Sequence, residues 1–156
     1  LEVTTMAEAK TLAGKSLLIK VSDGGGTPVF AHPCLINTAR GINFSSQSNE
    51  RRIPDCTDPE LIAWTKVNKI SLTAAISGAG VLNTTDNEFY FNWFNSDNAI
   101  AVRVELSGVV LANGGGWWAG DFKCLSYNVT GDLGDEVQCD IGLQSHGAVA
   151  WVDAAA

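Results

Sequence analysis

The groups that could do chemistry are few, and their spacing is poor. The two histidines, His32 and His146, fall in different strand-like segments, one beside Pro33 and the other beside Gly147. An imidazole works as acid, base or ligand only with a partner at a fixed distance, and neither segment supplies one. Asp132, Asp135, Glu136 and Asp140 crowd one stretch. Such oxygens suit Ca²⁺, but the spacing fits no cation-binding loop, so they read as a solvated acidic turn. The cysteines Cys34, Cys56, Cys124 and Cys139 show neither CxxC nor Cys/His metal spacing. Their even number permits two disulfides, Cys34–Cys56 and Cys124–Cys139; free buried thiols suit a cytosol-made chain better. The glycine runs at 24–26 and 114–116 lack the Lys and following helix of a phosphate cradle. No catalytic set, cofactor or metal site is expected, and a hydrolase reading has scattered acids alone to support it.

Composition narrows the partners. The chain has 156 residues, 46% apolar and 17% charged, with a net charge of −7. That suits one packed domain over residues 1–156 with unusually little surface charge, as in a protein that hides surface in an assembly. No Lys/Arg cluster exceeds Arg51-Arg52, so adhesive nucleic-acid binding, which needs a basic surface, is excluded. No stretch reaches the roughly 20 apolar residues of a membrane span, and residues 1–10 lack the pattern of a signal peptide. Leu1 is not an initiator Met, whereas Met6 opens a segment that would read well as a start. Processing, a cloning scar or a misplaced start would each explain residues 1–5. Three glycosylation sequons, at Asn43, Asn83 and Asn128, are chance matches without an export signal.

The elements follow from periodicity. Residues 15–21 are a short strand, and 22–28 are a turn. Residues 29–60 are strand-like but interrupted; their polar middle is too long for a tight hairpin and predicts an extended arm over 40–58. Residues 58–64 predict a brief helical turn with Asp58 as N-cap and Pro59 at its first position. Residues 83–99 predict a helix, with Thr85 and Glu88 as a capping box and an apolar stripe of Phe89, Trp93 and Phe94; a strand competes because aromatics favour strands. Residues 99–106 alternate, with Ile100, Val102, Val104 and Leu106 inward. Residues 120–131 and 135–152 form a closing hairpin with Cys124 and Cys139 on one face. Trp117 and Trp118 take opposite faces of any strand, so one can meet the core and the other a partner. The tally is about seven strands and one helix: mainly β, as a two-sheet sandwich or barrel.

Residues 69–80, "KISLTAAISGAG", carry the most informative alternation. Ile70, Leu72, Ala74 and Ile76 form one face. Ser71, Thr73, Ala75 and Ser77 form the other, which is small, hydroxylated and uncharged where an exposed strand normally carries Lys or Glu.

In order and spacing these segments resemble the major tail tube proteins of long-tailed (siphovirus-type) bacteriophages and gene transfer agents. "GKSLLIKV" is similar to that family's opening strand, "INFSSQSNERRIPDCT" to its polar arm, "KISLTAAISGAGVL" to its long Ser/Gly-rich strand, and "FKCLSYNVTGDLGDEVQCDIGLQSHGAVAWV" to its closing hairpin. The cysteines, the "GGGWW" insertion and a shortened segment near 62–66 depart from it. The resemblance implies a tail tube fold with an N-terminal arm over 1–14 and a long hairpin arm. It implies a homo-hexameric ring, stacked into a hollow tube around a tape-measure protein and finished by tail tip and tail terminator proteins. It implies a virion tail assembled in the host bacterial cytoplasm, through which genomic DNA passes without specific binding, no membrane partner and no chemistry. On it, Ser71, Thr73, Ala75 and Ser77 line the lumen; the face of Gln138, Asp140 and Gln144 is the substitute, and packing of the small-residue face under the helix the bland alternative. Gln47, Ser48, Asn49, Glu50, Arg51 and Arg52 reach a neighbouring ring. A carbohydrate-binding β-sandwich, with Trp117 or Trp118 as sugar platform, is the other function class.

Overall fold

The computed structural model describes residues 7–23, 29–31, 36 and 38–155. Expectations attached to residues 1–6, the glycine run at 24–26, His32 and Cys34 lie outside them. Among the described residues, eight strands and one α-helix run in the order β1 (Leu17–Ser22), β2 (Phe30–Ala31), β3 (Ala39–Arg52), β4 (Thr65–Val81), α1 (Asn87–Asn95), β5 (Ile100–Leu106), β6 (Gly116–Thr130), β7 (Gln138–Ser145) and β8 (Ala150–Asp153). All pairs are antiparallel, in the order β2-β1-β5-β6-β7-β4-β3, with β8 beside β6.

The class is mainly β with one flanking helix, as expected from alternation for the strands and from the spacing of residues 83–99 for the helix. β6 joins the two halves of the sheet: residues 117–119 lie between β5 and β8, and residues 122–130 pair with β7. At the far edges the sheet curls back, and Arg40 of β3 donates from Nη2 to the Lys15 carbonyl ahead of β1 at 2.7 Å. The closing segment is two strands rather than one. It breaks at Gly147, whose φ of 91° suits glycine, and His146 N–H donates to the Asp121 carbonyl at the break.

Alternation builds the core. Ile19 and Val21 of β1, Ala74 and Ile76 of β4, Val102 and Val104 of β5, Phe122 and Cys124 of β6, and Cys139, Ile141 and Leu143 of β7 are buried together with Ile36. Tyr90 and Trp93 of α1 join the same cluster. Two details make the faces meet. Leu125 is an extra residue in β6: Cys124 lies opposite Leu143 and Ser126 opposite Gly142. This β-bulge keeps Tyr127 on the core side three residues after Cys124, where strict alternation would turn it out. Gly78 of β4 makes room for Ile36, because a Cβ there would stand 2.6 Å from Ile36 Cγ2.

Three local expectations are corrected. The helix is shorter than 83–99, and its capping box is not made. Asp86 holds the N-cap without a side-chain cap. Asn83 engages the polar groups instead, accepting the Thr85 hydroxyl at 2.9 Å and donating to Asp86 Oδ2 at 2.9 Å. The buried stripe is Tyr90 and Trp93, with Phe89 and Phe94 exposed on its flanks; Trp93 Nε1 donates to the Asn98 carbonyl at 3.1 Å. The brief turn expected at Asp58 is present over residues 58–61, closed by Leu61 N–H to the Asp58 carbonyl at 3.1 Å, and it ends short of residue 64. Leu61, Ile62 and Trp64 are exposed, and an unpacked first turn does not propagate.

Candidate functional site: a polar face and an unsupported arm

β4 positions both features. On its outer side Ser71, Ala75 and Ser77 are exposed and Thr73 is half-buried. Cross-strand partners share a face, so the register with β3 adds Gln47, Ser45, Asn43 and Gly41 opposite Ser71, Thr73, Ala75 and Ser77. On the other flank Gln144 and Gly142 lie opposite Ala75 and Ser77, with Asp140 opposite Ala79 and Gln138 opposite Val81. Ser126, Asn128 and Thr130 of β6 continue the surface beyond β7. The two residue sets that the sequence offered as alternatives therefore stand on one four-stranded face. Packing of that face under the helix is contradicted, because α1 inserts Tyr90 and Trp93 into the core on the opposite side. Charge on the face is sparse. Lys123 at its edge pairs with Asp97 at 2.9 Å, and the hydrogen bond from Lys123 is the main cause holding that carboxyl below its usual range.

Further along β4 the face becomes an arm. β3 and β4 stay paired out to Arg52 opposite Thr65. The eight outer rungs are covered by neither α1 nor another strand, and at ~3.3 Å per residue they extend about 25 Å. Ile70 is an extra residue in β4, between Ser71 opposite Gln47 and Lys69 opposite Ser48. The sequence placed Ile70 and Leu72 with Ala74 and Ile76 as an apolar face. Ala74 and Ile76 are buried, but Leu72 is 75% and Ile70 67% exposed. With Phe44, Ala148 and Val149 they line an open groove of about 820 Å³ at the base of the arm. At the tip Ile62 is 92% and Trp64 93% exposed. A two-stranded ribbon of this kind is marginal alone, and contiguous exposed apolar surface marks an interaction site.

The remaining candidates are structural. Trp117 and Trp118 do face opposite ways. Trp118 packs on Phe44 and Trp151, with ring centroids 5.6 and 5.0 Å away. Trp117 takes the Arg103 guanidinium at 5.2 Å, which also covers Phe30 at 4.0 Å. Neither offers the free aromatic face that a sugar platform needs. Cys124 lies opposite Leu143 and Cys139 opposite Val129, so they share a face without facing each other, and Cys56, Cys124 and Cys139 are in no disulfide. Burial pushes the Cys124 thiol up to about 11. Among the described residues no three His, Cys, Asp or Glu side chains converge on a metal position. What sequence reasoning missed is the length of the arm and the exposure of its apolar face; period-two alternation reports sidedness, not cover.

A curled antiparallel sheet with one smooth polar face and one arm lacking cover is a building block for an assembly. The family model of phage tail tube proteins matches residues 11–150, and the chain belongs to that family. No curated protein sequence matches it. Among solved structures it is similar to a chain in the tail of an empty gene transfer agent (GTA) particle, refined with C6 symmetry: TM-score 0.73, 22% identity, 91% of this chain and 99% of that one. It is also similar to a chain of the SPP1 tail tube (TM-score 0.62, 13% identity, 92% and 80% covered). A third likeness is to a chain of the sheath–tube complex of an extracellular contractile injection system (TM-score 0.61, 14% identity, 92% and 93% covered).

Proposed function

We propose that the chain is a non-enzymatic virion protein whose hexameric rings stack into a hollow tail tube. The outer face of β3, β4, β7 and β6 is its lumen wall, along which DNA passes without specific binding. Family membership supports the tube; the observation that carries the wall is the register that puts Ser71, Thr73, Ala75, Ser77, Gln138, Asp140 and Gln144 on one exposed face. Short side chains offer a moving duplex nothing to catch on, and Lys123 at the edge of the four-stranded face is neutralised by Asp97, which weakens attraction for phosphates there. Residues 47–52 reach the neighbouring ring. A tape-measure protein fills the tube during assembly, and tail tip and terminator proteins close its ends. The tail is built in the host bacterial cytoplasm, with no membrane step.

The test is direct. Purified protein at high concentration, or with tail-tip nuclei, forms rings or tubes visible by electron microscopy; a persistent monomer, absent from any tail-like particle, refutes the tube. The Ser71→Lys/Thr73→Lys variant tests the wall. Ser71 is exposed and Thr73 half-buried, both on the side away from the core, so it folds and assembles. Its added cations attract phosphate at partly dehydrated range, less so in salt, and genome release becomes slow or incomplete. Normal release by a correctly assembled variant moves the lumen to another face.

A further inference from the structure

The arm and the opposite end of β4 differ in charge, and the difference points to a docking partner for each. The outer strands of the arm carry Arg51, Arg52, Lys66 and Lys69 against one carboxylate, Glu50. Arg51 lies directly opposite Lys66 in the ladder. Like charges so placed destabilise a strand pair, and among the described residues no ion pair with a carboxylate offsets them. The carboxylates of the tip loop, Asp55, Asp58 and Glu60, lie beyond these rungs, and Asp55 is occupied locally by Thr57, whose hydroxyl donates to it at 2.7 Å.

The other end of β4 is the reverse. Leu82 N–H donates to the Val137 carbonyl at 2.8 Å, tying the end of β4 to the β6–β7 turn. That turn carries Asp132, Asp135 and Glu136, and the neighbouring start of α1 carries Asp86 and Glu88. Neither segment, 81–96 or 130–145, contains a Lys or Arg. At the tip of the turn Leu133 is fully exposed. From Lys66 to Val81 the strand spans about 50 Å, so the cationic rungs and the acidic end lie on opposite ends of one molecule and cannot meet within it.

We propose that the cationic rungs of the arm dock on the acidic β6–β7 turn and α1 start of a second copy in the next ring. This rests on the tube reading above and supplies the receiving surface. A head-to-tail contact between different surfaces does not close on itself along the stacking direction and propagates as a filament. Arg51 and Lys66 gain the anions that their own chain withholds. The contact gives the stack one polarity, because two arm ends or two acidic ends repel.

Charge exchange tests it. Arg51→Glu/Lys66→Glu and, separately, Asp132→Lys/Asp135→Lys are compared with the unmodified chain by electron microscopy and sedimentation, with circular dichroism to check the fold. Each reversal alone is expected to lower the fraction of chains in tubes roughly tenfold or more at moderate salt. Mixing the two proteins restores tubes, since each arm then finds the opposite charge on the other protein, and combining all four changes in one chain does the same. Reversals that leave tubes unaffected overturn the inference alone, as do natively folded mixtures and four-change chains that both stay unstacked. An unmodified chain that never associates overturns the tube reading and this inference together.

Discussion

The two halves of β4 both carry apolar side chains, and those side chains have opposite fates. Along residues 74–80 the inward side chains are buried, Ala74 at 2% and Ile76 at 1% exposure. Along 65–72 the apolar residues Val67, Ile70 and Leu72 are exposed. The inner half has β7 on its free edge and β1, β5 and α1 across the core. The outer half has β3 alone. Burying a Leu or Ile side chain is worth about 1.5–3 kcal/mol, so the body realises that gain on folding and the arm does not. On the tube reading proposed above, the apolar face that the fold leaves open is surface for another copy to cover.

The largest test of this contrast is in the body. Gly78 and Ile36 occupy one space, so they form a double-mutant cycle. Ile36→Ala opens a cavity and costs about 2–5 kcal/mol. Gly78→Ala pushes a methyl against Ile36 and costs about 1–3 kcal/mol. In the double variant the added methyl enters the space that Ile36 vacates, so the combined loss is below the sum of the two. Urea denaturation of the four chains measures this; strict additivity breaks the assigned contact.

The arm should respond differently to comparable chemistry. Ile70→Ser/Leu72→Ser removes apolar surface that nothing in the subunit covers. The stability of the single subunit then changes by about 0.5 kcal/mol or less, while the concentration needed for assembly rises. If the variant loses stability like a core substitution, the groove is closed within the subunit and the contrast fails. If assembly is unaffected, the exposed face has another role.

These comparisons show what the sequence carried. Alternation identified Ala74 and Ile76 of β4, Val102 and Val104 of β5, and the shared inward face of Cys124 and Cys139, because a half-buried strand writes its two faces at period two. It also identified the polar face of β4 and the opposed directions of Trp117 and Trp118. It misplaced the helix stripe, since "EFYFNWF" offers an aromatic at five of seven positions and the register was chosen by packing on β6. The bulges at Ile70 and Leu125 break the period where it was being read, and they carry no residue signal of their own. The union of the two candidate wall segments was beyond alternation as well, because it depends on β7 pairing with β4 across 56 intervening residues, from Val81 to Gln138.

The smallest effect is on the thiols, and it compares the exposed arm with the body by chemistry. Cys56 lies in the exposed loop at the arm tip, whereas Cys124 and Cys139 are buried. Burial holds the Cys124 thiol at about 11, against an ordinary value of 9.0, and raises Cys139 in the same direction. Alkylation proceeds through the thiolate. At pH 8 the two-unit shift alone makes Cys124 ~100-fold slower than an ordinary thiol, and restricted access slows it further. Site-resolved mass spectrometry of iodoacetamide-treated native protein should show Cys56 modified first and Cys124 modified only as the body opens. The shift also sets a sign for stability. Below pH 9 the proton is on the thiol in both states, so it contributes no pH dependence. Between 9 and 11 the unfolded chain releases it and the folded chain keeps it, so stability falls as pH rises. Cys124→Ala removes this component, and its denaturation midpoint should decline less than that of the unmodified chain between pH 8 and 10.5. Equal declines would place Cys124 in water, and the core face of β6 with it.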